Sequence, residues 1–175
     1  MVHEALLILA AITLLGFLVA FIDLAVGSFS IPDLELQDPA MAPLPRVSII
    51  TAARNEEREI RQALQSILHM DYPNYEVIAV NDRSEDRTGA ILEEMRTENP
   101  QLQVIHVKEL PQGWLGKNHA LFAGGNAAQG DMLLFSAADV TFAPSALSRA
   151  VGAVQRNGLD RRPLPPRLAR APIHP

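Results

Sequence analysis

The sequence predicts an α/β fold built on a mostly parallel sheet, and three observations carry that prediction. Strand-like and helix-like segments alternate from residue 46 onward, and the strand-like segments read as nearly continuous apolar runs. Two of those runs, Val77-Ile78-Ala79-Val80-Asn81-Asp82 and Met132-Leu133-Leu134-Phe135-Ser136-Ala137-Ala138-Asp139, end on an aspartate. Continuous apolar strands mark a sheet covered on both faces, as parallel sheets joined by helical crossovers are. Ligands of such sheets bind outside the carboxyl ends of the strands, where a carboxylate reaches the ligand or its metal ion, whereas a mid-strand acid is buried at high cost. The pattern points to a charged small molecule.

The elements follow in order. Ala5 to Ile22 is uncharged, with Thr13 as its one distinctly polar side chain, and Asp23 is followed by Leu24-Ala25-Val26. A membrane span needs about 20 predominantly apolar residues, so residues 5–27 are expected to form a transmembrane anchor. A cleaved signal peptide fits less well, because Met1-Val2-His3-Glu4 has no positive charge flanking the run and no small-residue cleavage pattern follows it. Arg46, Arg54, Arg58 and Arg61 lie on its C-terminal side, which places the globular part on the cytoplasmic side of a single-pass membrane protein. Pro32, Pro39, Pro43 and Pro45 make residues 28–45 an extended linker.

Arg46 to Thr51 is the first strand. A helix over Glu56 to Met70 gathers Ile60, Leu64, Ile67 and Leu68 on one face. Asp71-Tyr72-Pro73-Asn74 turns into the strand ending at Asp82. A helix over Asp86 to Thr97, a strand over Val104 to Val107, a helix over Lys117 to Gln129 and a strand ending near Phe135 complete a βαβαβαβ order. The domain is expected over 46–158. Residues 159–175, rich in proline and arginine, bury too little apolar surface to fold and are expected to be a disordered tail.

Composition narrows the function. A chain of 175 residues, 48% hydrophobic, has one domain's length and enough apolar content for a core. The net charge is -5 and four arginines are concentrated in the last fifteen residues, a balance that excludes a nucleic-acid-binding domain. Without cysteine there is no disulfide and no thiolate metal site, so any metal is held by oxygen or imidazole. The three-glycine dinucleotide pattern is absent after the first strand, where Ala52-Ala53-Arg54-Asn55 stands. Gly116-Lys117 lacks the hydroxyl residue and first glycine of a P-loop, no nucleophile elbow occurs, and the five histidines lack metal-ligand spacing.

Several segments resemble the family 2 glycosyltransferases, in order from Val47 to about Leu147. They are Ala53-Arg54-Asn55-Glu56-Glu57, Asp71-Tyr72-Pro73-Asn74-Tyr75-Glu76-Val77-Ile78, Asn81-Asp82-Arg83-Ser84-Glu85-Asp86-Arg87-Thr88, Gly113-Trp114-Leu115-Gly116-Lys117-Asn118-His119-Ala120-Leu121 and Ala137-Ala138-Asp139-Val140. The tryptophan loop and N-terminal anchor are most similar to membrane-anchored members associated with hopanoid or carotenoid-type lipids. The resemblance implies a partial GT-A fold, Rossmann-like, whose N-terminal half binds a nucleotide sugar, often UDP-linked, with Mg²⁺ or Mn²⁺. It implies inverting transfer to a lipid or membrane-associated acceptor.

The same resemblance implies donor-binding roles for Arg54, Asn55, Glu56, Asn81 and Asp82, with Asp82 towards the base or ribose. Position alone leaves Asp139 open between a turn or N-cap residue before Pro144 and a metal ligand, and the resemblance implies the ligand. Lys117 follows a glycine at an expected helix start, where its ammonium and free backbone N–H groups both suit phosphate. Trp114 suits either the donor or lipid entrance or simple packing on the sheet edge.

Two departures accompany the resemblance. The family's Asp-x-Asp is Ala137-Ala138-Asp139 here, so weakened donor binding is expected. The family's acceptor-binding half, with its catalytic base, has no counterpart after Asn157-Gly158, so a truncated chain with little turnover of its own is expected, and no catalytic base is assigned. The alternatives are a non-catalytic nucleotide-sugar-binding fragment and a membrane-tethered interaction protein whose Arg162-Pro163-Leu164-Pro165-Pro166 docks a partner as a polyproline II helix.

Overall fold

The computed structural model describes residues 2–30 and 37–156, and the chain divides into two compact units, Met1–Gln37 and Asp38–Pro175. The first unit contains one helix, α1 (Val2–Ser30), apolar on every described face, with Leu14, Phe17, Phe21 and Leu24 among its exposed side chains. Thr13 turns its hydroxyl back onto the carbonyls of Leu9 and Ala10, at 3.1 and 2.9 Å. The transmembrane span expected over 5–27 is not recovered. Among the described residues no helix is long and apolar enough to cross a membrane. The stretch 9–24, whose side chains are all described, is roughly 24 Å long at the helical rise, against a hydrocarbon core of about 30 Å.

The second unit contains β1 (Val47–Ala53), α2 (Ile60–Leu68), β2 (Tyr75–Asp82), α3 (Thr88–Glu98), β3 (Leu102–Val107), α4 (Gly116–Ala127), β4 (Met132–Ala137) and α5 (Ala146–Arg156). The four strands form one sheet in the order β3-β2-β1-β4, and every pairing is parallel. Alternation along β1 divides its side chains between two cores. Val47, Ile49 and Ala53 join Ile60, Leu64 and Ile67 of α2, Leu92 and Met95 of α3 and Leu147 and Val151 of α5. Ile50 meets Ile78, Val80 and Ala120 of α4 on the opposite face. Burial on both faces is what makes β1 and β2 read as unbroken apolar runs.

The helices start and stop a few residues away from their expected limits. The helix expected over Glu56 to Met70 is reduced to α2, because Asn55 sits at φ 57 and the following backbone turns over to bond the β2–α3 loop. α5 was not expected at all. It is amphipathic, burying Leu147 and Val151, and it holds part of the stretch expected to be linker. Ala40 N–H donates to the Ser148 carbonyl at 2.9 Å, and the Gln155 amide bonds Met41 in both directions, at 3.0 and 2.8 Å. Residues 38–45 of the expected 28–45 linker are therefore packed on the domain, 31–36 lie outside the described residues, and so does the whole of the 159–175 tail.

At the amino ends of the strands, Glu76 fastens three segments. Its carboxylate accepts from Ser48 Oγ at 2.5 Å, from Gln129 N–H at 2.7 Å and from Arg46 Nη2 at 2.8 Å. Burial pushes its pKa up by favouring the neutral form, but these donors outweigh burial and hold the carboxyl below the usual range. A lowered folded-state value stabilises the fold fully above the ordinary glutamate range, and that stability drains as the pH falls through and below it. Glu76→Gln is expected to cost about 1–3 kcal/mol at neutral pH. The deficit shrinks on acidification, and parallel thermal melts at neutral and acid pH measure it.

Candidate functional site

The chain runs from β1 outward to β2 and β3, then crosses back to place β4 on the other side of β1. The carboxyl ends of β1 and β4 thus flank a topological switch point, the place where such sheets bind ligands. Four loops surround it: 54–59 after β1, 83–87 after β2, 108–115 after β3 and 138–145 after β4.

The first two loops are stitched together. Asn55 N–H donates to Ser84 Oγ at 3.0 Å while Asn55 Oδ1 accepts from Glu85 N–H at 2.9 Å. Glu56 N–H donates to Thr88 Oγ1 at 2.8 Å, Glu57 N–H to Asp86 Oδ2 at 3.1 Å, and Arg87 N–H back to Glu57 Oε2 at 3.1 Å. Asp86 also caps Thr88 N–H at 2.9 Å. Reciprocal bonds of this kind satisfy the first N–H groups of α3 and fix both loops as one rigid rim.

Asp82 lies beneath that rim at 3% exposure. Arg83, at φ 55, turns its guanidinium back onto the carboxylate before it, with Nε and Nη2 at 2.8 and 3.1 Å from the two oxygens. This fork neutralises an acid that burial would otherwise penalise. The start of α4 closes over the pair. A Cβ at Gly116 would lie 2.7 Å from both Asp82 Oδ2 and Arg83 Nη2, so any larger residue there must displace the pair. No side chain caps α4, and its first backbone N–H groups belong to Gly116 and the residues after it, Lys117 among them.

The remaining acids lie nearer solvent. Asp139 is exposed, two residues beyond β4. Glu56 is half-buried, and its carboxyl is raised first by burial, then by the charges of Glu59, Asp139 and Asp86. Uncompensated negative charge is thus concentrated between the β1 and β4 loops. Among the described residues no group of three histidine, aspartate or glutamate side chains converges on a metal position. A hard cation arriving with a diphosphate needs only one or two carboxylates from the protein, and Asp139 beside Glu56 fits that requirement.

Of the residues singled out from sequence, Asn81 and Asp82 end β2, Arg54, Asn55 and Glu56 follow β1, Lys117 opens α4, and Asp139 follows β4. All lie at the carboxyl edge, with Arg54 and Lys117 exposed. Asn55 and Asn81 spend their side chains on other loop residues. Sequence reasoning gave no role to Arg83 or Thr88 and missed the close approach of α4 at Gly116. The one local signal was the adjacency of Asp82 and Arg83. Trp114 packs on α4, with its ring 5.3 Å from His119 and 5.1 Å from Phe122.

Comparison with known proteins agrees with this geometry. A family model described as Glycosyl transferase family 2 matches residues 48–160. The chain is 37% identical over 122 residues to beta-monoglucosyldiacylglycerol synthase of Synechocystis sp., covering 69% of this chain and 25% of that protein. It is 36% identical over 97 residues to 4,4'-diaponeurosporenoate glycosyltransferase of Staphylococcus aureus, covering 55% of this chain and 24% of that protein. Among solved structures it is similar to the mannosyltransferase PcManGT of Pyrobaculum calidifontis in complex with GDP-Man and Mn²⁺, with TM-score 0.62 and 27% identity over 78% of this chain and 39% of that one. S. aureus TarS 1-349 in complex with UDP-GlcNAc matches with TM-score 0.55 and 25% identity, over 65% of this chain and 32% of that one. The chain spans about a quarter of the length of these curated relatives.

Proposed function

The chain belongs to glycosyl transferase family 2, and we propose that its parallel sheet is the half that binds a nucleotide sugar, in a protein that transfers the sugar with inversion to a lipid or membrane-associated acceptor. The observation that carries the reading is Asp82, a carboxylate held at 3% exposure on a strand end at the switch-point edge, with the uncapped start of α4 closed over it. Arg83 holds the charge of this acid at the ligand edge, and the lone pairs its fork leaves free are acceptors suited to ribose hydroxyls or a base N–H.

The diphosphate would then lie towards the start of α4, where backbone N–H groups and the Lys117 ammonium favour anions. Asp139 would hold a divalent cation shared with the phosphates, and that cation would neutralise the departing diphosphate. The TarS complexes with UDP-GlcNAc and UDP support a UDP-linked donor, and the GDP-Man complex supports Mn²⁺. The relatives' names, beta-monoglucosyldiacylglycerol synthase first among them, support a lipid acceptor. Attachment of the chain to a membrane through α1 is supported by the helix's exposed apolar side chains, and a cytoplasmic globular unit by the arginines that follow, Arg46, Arg54, Arg58 and Arg61.

Donor binding by this chain is weakened by Ala137, the last residue of β4, which stands where the family's first carboxylate falls. Ala137 pairs with Ala52 and is half-buried at the edge, so an aspartate there reaches the ligand side. Ala137→Asp is expected to tighten Mn²⁺-dependent UDP binding about tenfold, the scale of one added charged contact. Calorimetric titration of both forms tests this, and identical affinities would overturn the alignment of Ala137-Ala138-Asp139 with the metal motif.

A further inference from the structure

We propose that Glu93, His106 and Asn81 form a hydrogen-bonded relay that locks the β2–α3 loop, and with it the Asp82–Arg83 pair, only while His106 is neutral; its functional consequence rests on the nucleotide-sugar reading of this edge. The direction of the relay is fixed at both ends. A backbone N–H can only donate, and Ser84 N–H donates to Asn81 Oδ1 at 3.2 Å. A carboxylate can only accept, and Glu93 Oε1 lies 2.9 Å from His106 Nε2. Between them Asn81 Nδ2 lies 3.0 Å from His106 Nδ1. With its oxygen given to Ser84, the Asn81 amide donates to Nδ1, and the single imidazole proton sits on Nε2 facing Glu93. One tautomer satisfies all three bonds.

The surroundings hold the amide in place. Asn81 is buried, and a Cβ at Gly89 on α3 would lie 2.8 Å from Asn81 Nδ2 and 3.7 Å from His106 Cε1. The ring meets Glu93 on α3 and, through Glu93, Arg96, whose Nε is 2.8 Å from Glu93 Oε2. On β2 it meets only the neutral Asn81 amide. The His106 bond first, and then the Arg96 bond, hold the Glu93 carboxyl below its usual range, so Glu93 is an anion wherever imidazoles titrate.

A second proton on His106 sets Nδ1–H against the Asn81 NH₂, donor against donor. The conflict is relieved when the amide turns over and gives its oxygen to His106, which leaves Ser84 N–H facing another donor. Acid therefore strengthens the ring's pairing with Glu93 at the expense of the loop. Asn81, His106 and Glu93 are on this account positioning residues. They act on the nucleotide edge through Ser84 and touch no ligand themselves.

The test is NMR of the full chain in detergent micelles from about pH 8 to about pH 5, where imidazoles titrate, with parallel UDP–Mn²⁺ titrations. The Ser84 amide and Asn81 side-chain resonances are expected to move with the same midpoint as the His106 ring, while UDP affinity falls about tenfold, the scale of one lost buried hydrogen bond. His106→Gln offers Asn81 an acceptor but cannot titrate, and is expected to make both readouts flat with pH. A Ser84 amide that stays still while His106 titrates, or a pH dependence that survives in His106→Gln, would overturn the relay. If UDP binds at no pH, the nucleotide reading fails, and the Ser84 resonance still decides the relay.

Discussion

Asp139→Ala is expected to weaken UDP binding in the presence of Mn²⁺ by about 30- to 100-fold, the cost of about 2–3 kcal/mol for losing a charged ligand contact, and to leave binding without Mn²⁺ unchanged. The asymmetry follows from position. Asp139 is exposed and its carboxylate lies near that of Glu56, whose carboxyl its charge helps to raise. A cation shared with the diphosphate is the partner such a charge lacks, so removing it abolishes metal dependence without touching the nucleoside end at Asp82. Exposed substitutions of this kind shift stability by less than about 0.5 kcal/mol, and an unchanged melting temperature separates lost binding from lost fold. The substitution also relieves Glu56. Its carboxyl falls only part of the way towards the ordinary value, because burial is the largest cause of its rise and remains. Calorimetry with and without Mn²⁺, together with the Glu56 side-chain titration, checks both halves.

Gly124→Val is expected to destabilise the domain by about 3 kcal/mol or more and to lower its melting temperature by roughly 10 °C. At Gly124 α4 lies directly on the sheet. A Cβ there would overlap the Ile50 Cγ2 methyl and lie 3.2 Å from Val80 Cγ2, and both methyls belong to the fully buried core. Alanine gains about 1 kcal/mol of helix propensity over glycine and loses about 1–3 kcal/mol to overpacking, so Gly124→Ala costs about 0–2 kcal/mol net. Valine adds two methyls and gives back part of the propensity gain. The helix must move outward, and Gly116 at its start then withdraws from Asp82. Loss of nucleotide affinity in Gly124→Ala, which remains folded, is the companion observation. Thermal melts of the two variants separate the packing effect from the binding effect.

The strands were legible because the middles of β1 and β2 are buried on both faces, so that Ile49-Ile50 and Val77 to Val80 run apolar without a polar break. The helix α5 was legible in principle. Leu147 and Val151 are spaced four apart on one face, but Pro144 just before the helix and Gly152 within it read as breaks in the pattern. Gly152 is there because a Cβ would overlap the backbone of residues 38–40, a contact between segments more than a hundred residues apart that no local pattern encodes.

The site divides in the same way. The strand-end positions of Asp82 and Asp139 were legible because the apolar runs before them mark where the strands end, whereas the metal-ligand role expected of Asp139 came from the family resemblance. The work of Asn55 and Asn81 was not legible, since each answers to partners about 25 to 30 residues away, at Ser84 and Glu85 for one and at His106 for the other. The hydrophobic N-terminal run forms the helix it was expected to form, α1. The span inferred from its composition is a separate claim, resting on the length of continuous apolar surface.

The proposed binding of a nucleotide diphosphate at the carboxyl edge of this sheet needs Asp82, the start of α4 and a cation at Asp139. Calorimetric titration of the full chain, held folded in detergent micelles, with UDP in the presence and absence of Mn²⁺ tests it most directly. Saturable one-to-one binding that strengthens with Mn²⁺ and is weakened by Asp139→Ala is expected. A chain that is folded by circular dichroism, yet gives no binding heat with UDP or GDP at millimolar concentration in the presence of Mn²⁺, would contradict it.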